Sequence, residues 1–94
     1  MQKTRTTVRI AGREYTITGY DAPEHVQRVA ANVDRRISEL SAVAGSLPAG
    51  QLAVLVAVNA TDDMIKSRDE IRRLRQENEA LRQELEALRH EPQA

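Results

Sequence analysis

The residues best suited to metal or acid–base chemistry in this 94-residue chain are two histidines and a group of acidic side chains. His25 and His90 are far apart in sequence, and neither has a cysteine or a second histidine at the spacing of a metal site. The acidic residues between 62 and 70 are typical of a solvated helix face. The chain has no cysteine, and no glycine-rich loop suited to binding phosphate. We therefore expect no catalytic residue, no metal, no cofactor, no small-molecule substrate and no enzyme activity.

Charge and hydropathy argue against two further classes of partner. Lys plus Arg equal Asp plus Glu, 14 against 14, so there is no excess of positive charge for nucleic-acid phosphates. The longest apolar run, Leu52–Val58, is too short to span a bilayer, and no apolar signal core follows Met1. We expect a soluble cytoplasmic protein that binds neither nucleic acid nor membrane.

A seven-residue repeat near the end of the chain is the clearest positive signal. Three successive heptads between residues 71 and 91 each close with L-R-Q-E or L-R-H-E. With Ile71 at position a, the a and d positions form the apolar seam of a coiled coil that is interrupted once, by Asn78. We predict that this seam joins two copies of the chain. Its members are Ile71, Leu74, Asn78, Leu81, Leu85 and Leu88.

The charged positions beside the seam predict that the two helices run parallel. Glutamate occupies each g position and arginine each e position. In a parallel pair every g glutamate faces an e arginine of the partner, whereas an antiparallel pair places like charges together. Asn78 favours the same arrangement, because its amide can bond to its mate across a two-fold axis. The predicted interchain pairs are Glu70 with Arg75, Glu77 with Arg82, and Glu84 with Arg89.

Hydrophobic periodicity and turn residues predict the strands and helices that precede and contain this coiled coil. Alternating apolar residues near the N-terminus predict a β-hairpin with a turn over residues 11–14. An amphipathic helix follows over about 23–40, capped by Asp21. Glycine and proline over 44–50 predict a loop, and a last helix should run over about 48–90. The predicted apolar face of the hairpin comprises Val8, Ile10, Tyr15 and Ile17.

Together these elements predict an α+β fold, with a small N-terminal β-hairpin plus helix followed by a long C-terminal coiled-coil helix. We expect a head over residues 1–47 and a helix over 48–91, of which 70–91 forms the parallel coiled coil. The apolar first part of that helix should pack in the core of the head and of the dimer. A short tail would occupy 92–94.

The start of the long helix indicates further self-association. The segment Gln51–Ala60 is apolar all round and therefore needs cover on several sides. Its own head can cover one side and a second copy the rest, with Leu55 among the contacts. Ile65 lies outside the heptad phase, which leaves open a further association of two dimers.

Three arginines of the head are candidates for partner contact. Arg13 is placed at the hairpin tip, and Arg35 and Arg36 lie on the first helix. Arginine is favoured at protein interfaces, but it also serves as a solubilising surface residue. The pattern alone leaves both interpretations open.

Three segments of the chain together resemble one protein family. They are the hairpin from Thr7 to Ile17, the first helix from Glu24 to Asp34 and, most specifically, Gln51–Ala60. They are similar to the corresponding parts of the ZapA family, bacterial cell-division proteins that associate with the tubulin-like protein FtsZ. The resemblance implies a non-enzymatic assembly factor that forms dimers and often tetramers. It would cross-link or align FtsZ protofilaments to promote Z-ring formation and septation.

In that family the N-terminal globular part engages FtsZ, which implies that this chain acts at the division site. Carried onto this chain, the resemblance points to the hairpin tip and the neighbouring helix as the partner-binding region. The residues concerned are Gly12, Arg13, Arg35 and Arg36.

The alternative is a generic coiled-coil dimerisation or adaptor module for another partner, such as a transcription regulator. A basic-zipper protein needs a continuous basic helix before its zipper. In this chain that place holds the apolar segment 52–60 followed by two aspartates, which would repel phosphate.

Overall fold

The computed structural model describes residues 2–90 and contains four elements in chain order. They are β1 (Thr4–Ile10), β2 (Arg13–Gly19), α1 (Pro23–Val43) and α2 (Ala49–Arg89). The strands form one antiparallel sheet, so the predicted α+β class, a hairpin and a helix followed by a long helix, is confirmed. The predicted tail over 92–94 lies outside the described residues. The chain divides into two compact units, and the first of them ends at Val58.

The hairpin closes through a shorter turn than predicted. Ile10 pairs with Arg13, so two residues, Ala11 and Gly12, lie between the strands. Both have positive φ, 53° and 79°, which is the type I′ geometry that matches the twist of a hairpin. The turn predicted over residues 11–14 is therefore wrong in length, because Arg13 already belongs to β2.

The strand register places the predicted apolar residues on one face, which confirms that prediction. Val8 lies opposite Tyr15, and Thr6 lies opposite Ile17; directly opposed residues share a face of the sheet. α1 packs against β1, and Val8 is buried. Tyr15 and Ile17 on β2 remain 47% and 38% exposed. The helix of the same chain thus covers mainly the β1 half of this face.

The N-terminus of α1 differs from the prediction in its cap. The helix begins at Pro23 as predicted, but its N-cap is Ala22 and no side chain caps it. The predicted cap at Asp21 is therefore wrong. The backbone carbonyl of Asp21 instead accepts a hydrogen bond from Thr4 Oγ1 at 2.9 Å. This bond ties the connection between β2 and α1 to the start of β1.

The core of the first unit is small. Among residues 2–90 the buried apolar side chains are Val8 of β1, Ala30 of α1, and Leu52 and Val56 on α2. Leu52 and Val56 are four residues apart and therefore lie on one face of their helix. Thr6 is also buried, and its hydroxyl has no hydrogen-bond partner within the described residues. In the same part of the chain, no helix has the length and apolar character needed to cross a membrane.

Thr6→Val should stabilise the chain by about 1 kcal/mol, because valine has nearly the same shape and removes a buried, unpartnered hydroxyl. Urea unfolding followed by circular dichroism measures the change. Thr7→Val is the matched control, since Thr7 is exposed on the opposite face and should change stability by less than about 0.5 kcal/mol. A Thr6→Val variant that is less stable than the wild type would contradict the prediction.

Candidate functional site: protein-binding and self-association surfaces

The hairpin turn and α1 are joined by a hydrogen bond between distant parts of the sequence. The backbone N–H of Ala11 donates to Asp34 Oδ1 at 2.8 Å. Gly12 and Arg13 directly follow Ala11, and Arg35 and Arg36 directly follow Asp34. The bond therefore brings together the two segments that hold all four predicted partner-binding residues. We call Gly12, Arg13, Arg35 and Arg36 the tip surface.

The side chains of the tip surface differ in their freedom to meet a partner. Arg13 and Arg35 are exposed, whereas Arg36 is half-buried. Arg36 Nε donates to Asn32 Oδ1 on the same helix at 2.8 Å, so part of this guanidinium is already engaged. Arg9 Nη2 donates to the Gly12 carbonyl at 3.2 Å and adds a further positive charge. The arginines of the turn and of α1 thus offer guanidinium groups that can bind carboxylates.

Gly12 contributes to the tip surface through its backbone. Its φ of 79° lies in the region that favours glycine, and a Cβ there would meet no other atom within 4 Å. Ala11 also lies in the left-handed region, with φ of 53°, at a cost of about 1–2 kcal/mol for a residue with a Cβ. The turn thus holds an unfavourable backbone conformation at the place where Asp34 binds it.

Asp34 is the residue of this region that sequence reasoning missed. On the helix it lies off the apolar stripe, which is the usual position of a solvated charge. Its partner is a backbone N–H 23 residues earlier in the chain. No local pattern of residue types could have indicated that pairing.

A second candidate surface is the exposed side of α2 within the first unit. Leu52 and Val56 are buried, but Leu55 is 40% exposed. Val54 and Val58 are more exposed than Leu55. A single chain therefore covers one face of the segment predicted to be apolar all round and leaves the other faces open.

The third candidate surface is the heptad seam in the second unit. Every apolar a and d residue from 71 to 88 is between 47% and 62% exposed, and Asn78 is exposed with them. The a and d positions recur along one stripe of a helix. Ile65, outside this phase, is exposed as well. The seam residues are Ile71, Leu74, Asn78, Leu81, Leu85 and Leu88.

Charges beside the seam are partly paired within their own helix. Arg73 Nη2 lies 2.6 Å from Glu70 Oε1, and Arg73 Nη1 lies 2.9 Å from Glu77 Oε2. The hydrogen bond from Arg73 lowers the pKa of Glu70, and the bond to Glu70 raises the pKa of Arg73. Two glutamates predicted to meet arginines of a partner chain thus already have a partner in their own helix.

Two further acidic residues of this helix also have a basic partner in their own helix. Lys66 Nζ lies 2.7 Å from Asp62 Oδ2, and Arg72 Nη1 lies 4.0 Å from Asp69 Oδ1. Residues 2–90 contain no group of three or more acidic, histidine or cysteine side chains placed to hold a metal ion. These charges have the arrangement of a solvated helix surface.

The comparison with known proteins identifies the family. A family model described as cell division protein ZapA matches residues 6–91. The chain belongs to the ZapA family. A cell division protein ZapA from Halalkalibacterium halodurans is 49% identical over 65 residues, covering 69% of this chain and 71% of that protein. One from a Geobacillus strain, WCH70, is 45% identical over 65 residues, covering 69% of this chain and 75% of the relative.

A solved structure also supports the assignment of this chain to the ZapA family. The ZapA mutant dimer from Geobacillus stearothermophilus is 40% identical, with a TM-score of 0.69. The similarity covers 84% of this chain and 92% of that one. The resemblance stated from the sequence is confirmed, and the chain is a member of a cell-division protein family. The roles of individual residues at the tip, at the seam and in interchain ion pairs stay predictions.

The ion pair between Arg73 and Glu70 predicts that the thermal stability of this ZapA-family chain depends on pH. Because the pKa of Glu70 is lowered in the folded chain, its ionised form stabilises the helix above its ordinary pKa of 4.5. That contribution is lost as the pH falls through the lowered value. Between about pH 5 and pH 3, thermal stability should therefore fall more in the wild type than in Arg73→Ala.

Thermal unfolding followed by far-UV circular dichroism across this range makes the comparison. Arg72→Ala is the matched control. Arg72 lies 4.0 Å from its acidic partner, the outer limit of an ion pair, so its loss should leave the pH profile nearly unchanged. Coincident pH profiles for the wild type and Arg73→Ala would contradict the prediction.

Proposed function

We propose that this chain is a non-enzymatic cell-division assembly factor that acts in the cytoplasm at the division site. It binds FtsZ through the tip surface and cross-links or aligns FtsZ protofilaments, which promotes Z-ring formation and septation. The observation that carries the proposal is the presence, on one small ZapA-family chain, of a basic tip and of a separate exposed heptad seam. One surface suits a protein partner and the other suits a second copy.

The tip surface is suited to an acidic region of its partner. Arg13 and Arg35 are exposed, and each guanidinium can donate two parallel hydrogen bonds to a carboxylate. The Ala11–Asp34 bond joins the segments that carry them. A partner that engages both segments at once therefore needs to order little of the head, which favours affinity.

Self-association has support from two exposed apolar surfaces. Leu55 and its neighbours on α2 remain open in one chain, and so does the seam from Ile71 to Leu88. Burying such surfaces against a second copy stabilises both by about 25 cal/mol per Å² of apolar area. The solved relative from Geobacillus stearothermophilus is described as a mutant dimer. A parallel homodimer places Glu84 opposite Arg89 of the partner, and Arg73 competes for the two earlier glutamates, Glu70 and Glu77.

A further step from two chains to four has its support in Ile65. This side chain is 51% exposed and lies outside the phase of the dimer seam. In a dimer of dimers it would face the second pair of helices. Ile65 thereby offers an apolar contact that the parallel dimer does not use.

Oligomerisation explains how weak contacts could organise filaments. Each tip surface is small, and its affinity for one FtsZ subunit can be modest. Two or four tips on one assembly make the later contacts intramolecular, so the overall avidity exceeds that of a single head. The FtsZ filament would offer many identical binding sites, and the coiled coil would hold several heads in one assembly.

Co-sedimentation with polymerised FtsZ tests the proposal. The wild type should pellet with the polymer and increase its light scattering. Arg13→Ala and Arg35→Ala should each weaken binding by roughly tenfold, the usual effect of losing a hydrogen bond to a charged group.

Arg5→Ala is the matched control, because it removes the same charge from the far end of β1, where Arg5 lies opposite Thr18. A wild type absent from the pellet would overturn FtsZ binding itself. Equal binding by the tip variants and the Arg5→Ala control would overturn the assignment of the tip surface.

A further inference from the structure

The turn of the hairpin presents a backbone donor that the sheet does not use. In a two-residue type I′ turn the flanking pair, Ile10 and Arg13, carries the last hydrogen bonds of the ladder. The N–H of Ala11 then points away from the opposite strand. It donates to Asp34 Oδ1 at 2.8 Å, the short distance of a bond to a charged acceptor.

This contact joins the free end of the hairpin to α1. A two-stranded hairpin is marginally stable by itself, and its strands end at this turn. α1 packs on β1, whereas the residues of β2 before Gly19 are exposed. The first residues of β2 thus have little cover from the helix, and the bond to Asp34 fixes the turn that precedes them.

The backbone conformation of the turn gives the contact a second effect. Ala11 has φ of 53°, which alanine rarely adopts. A hydrogen bond made in this conformation stabilises it relative to conformations of the turn that lack the bond. Asp34 therefore favours the type I′ geometry in addition to holding the turn at the helix.

We propose that Asp34 is a positioning residue for partner binding: its carboxylate holds the hairpin tip on α1, so that Arg13 and Arg35 meet a partner as one surface. This inference rests on the proposed binding of FtsZ by the tip surface. In this role Asp34 acts through its Oδ1, which accepts the Ala11 N–H, and not through a bond to the partner. It acts by keeping the two arginine-bearing segments in a fixed relation.

Substitutions of Asp34 that keep or remove its hydrogen-bond acceptor distinguish a positioning role from a direct contact with the partner. Asp34→Asn retains a side-chain oxygen that can accept the Ala11 N–H but removes the negative charge. Asp34→Ala removes both. Glu39→Ala is the matched control, because it removes one carboxylate from an exposed position of the same helix. A positioning role predicts that asparagine restores binding, whereas a role of the charge predicts that it does not.

Two measurements on the full chain test the proposal. Solvent exchange of the Ala11 amide, followed by NMR without any partner, should become at least about fivefold faster in Asp34→Ala as the hydrogen bond is lost. Binding in co-sedimentation with FtsZ should weaken by about fivefold in the same variant. Asp34→Asn keeps a weaker, neutral acceptor and should therefore stay closer to the wild type than Asp34→Ala in both measurements, and Glu39→Ala should change neither.

Several outcomes would overturn the inference. Unchanged exchange in Asp34→Ala would show that the carboxylate does not hold the turn. Normal exchange together with weak binding in Asp34→Asn would assign a direct electrostatic role to the carboxylate. If wild-type chain does not bind FtsZ, the proposed function fails, while the exchange measurement still decides whether Asp34 positions the tip. An unfolded Asp34→Ala would leave Asp34→Asn as the deciding variant, since it keeps the acceptor.

Discussion

A single chain of this protein buries few apolar side chains, and its other structural features follow from that constraint. The chain has no Phe or Trp, and its described core holds the buried side chains of Val8, Ala30, Leu52 and Val56. Tyr15 and Leu55 remain substantially exposed beside that core. Small domains bury too little surface to be very stable by themselves and often gain stability by association. A head built in this way is stabilised when a second copy covers its open faces.

The same constraint connects fold and function. The seam along α2 is exposed in one chain, and in the proposed assembly it would join copies of the chain, each of which brings another tip surface. The tip itself gains little from the core, because it lies where the hairpin ends. The bond from Ala11 to Asp34 joins the hairpin turn to α1. The surfaces proposed for self-association and for partner binding lie in different parts of the sequence, so we expect that substitutions can affect one while leaving the other intact.

Periodic features could be predicted from the sequence, whereas features that depend on distant contacts could not. The hairpin face with Val8 and Tyr15 follows from strict alternation, and the start of α1 at Pro23 follows from local helix chemistry. The turn was predicted too long because alanine at position 11 gives no signal for a positive φ. The cap at Asp21 was wrong because the N-cap position of α1 falls one residue later, on Ala22, which has no polar side chain. Asp34 was missed because its partner, the Ala11 N–H, lies 23 residues earlier in the chain.

We propose that the folded chain depends on association with further copies. Molecular mass by light scattering, measured with thermal unfolding over a series of protein concentrations, tests it most directly for the wild type and for Leu81→Asp in the seam. We predict a wild-type mass at least twice that of one chain and an unfolding midpoint that rises with concentration, as linkage to association requires. Leu81→Asp should lower both the mass and the midpoint. A folded wild-type monomer at micromolar concentration, with an unfolding midpoint independent of concentration, would contradict the claim.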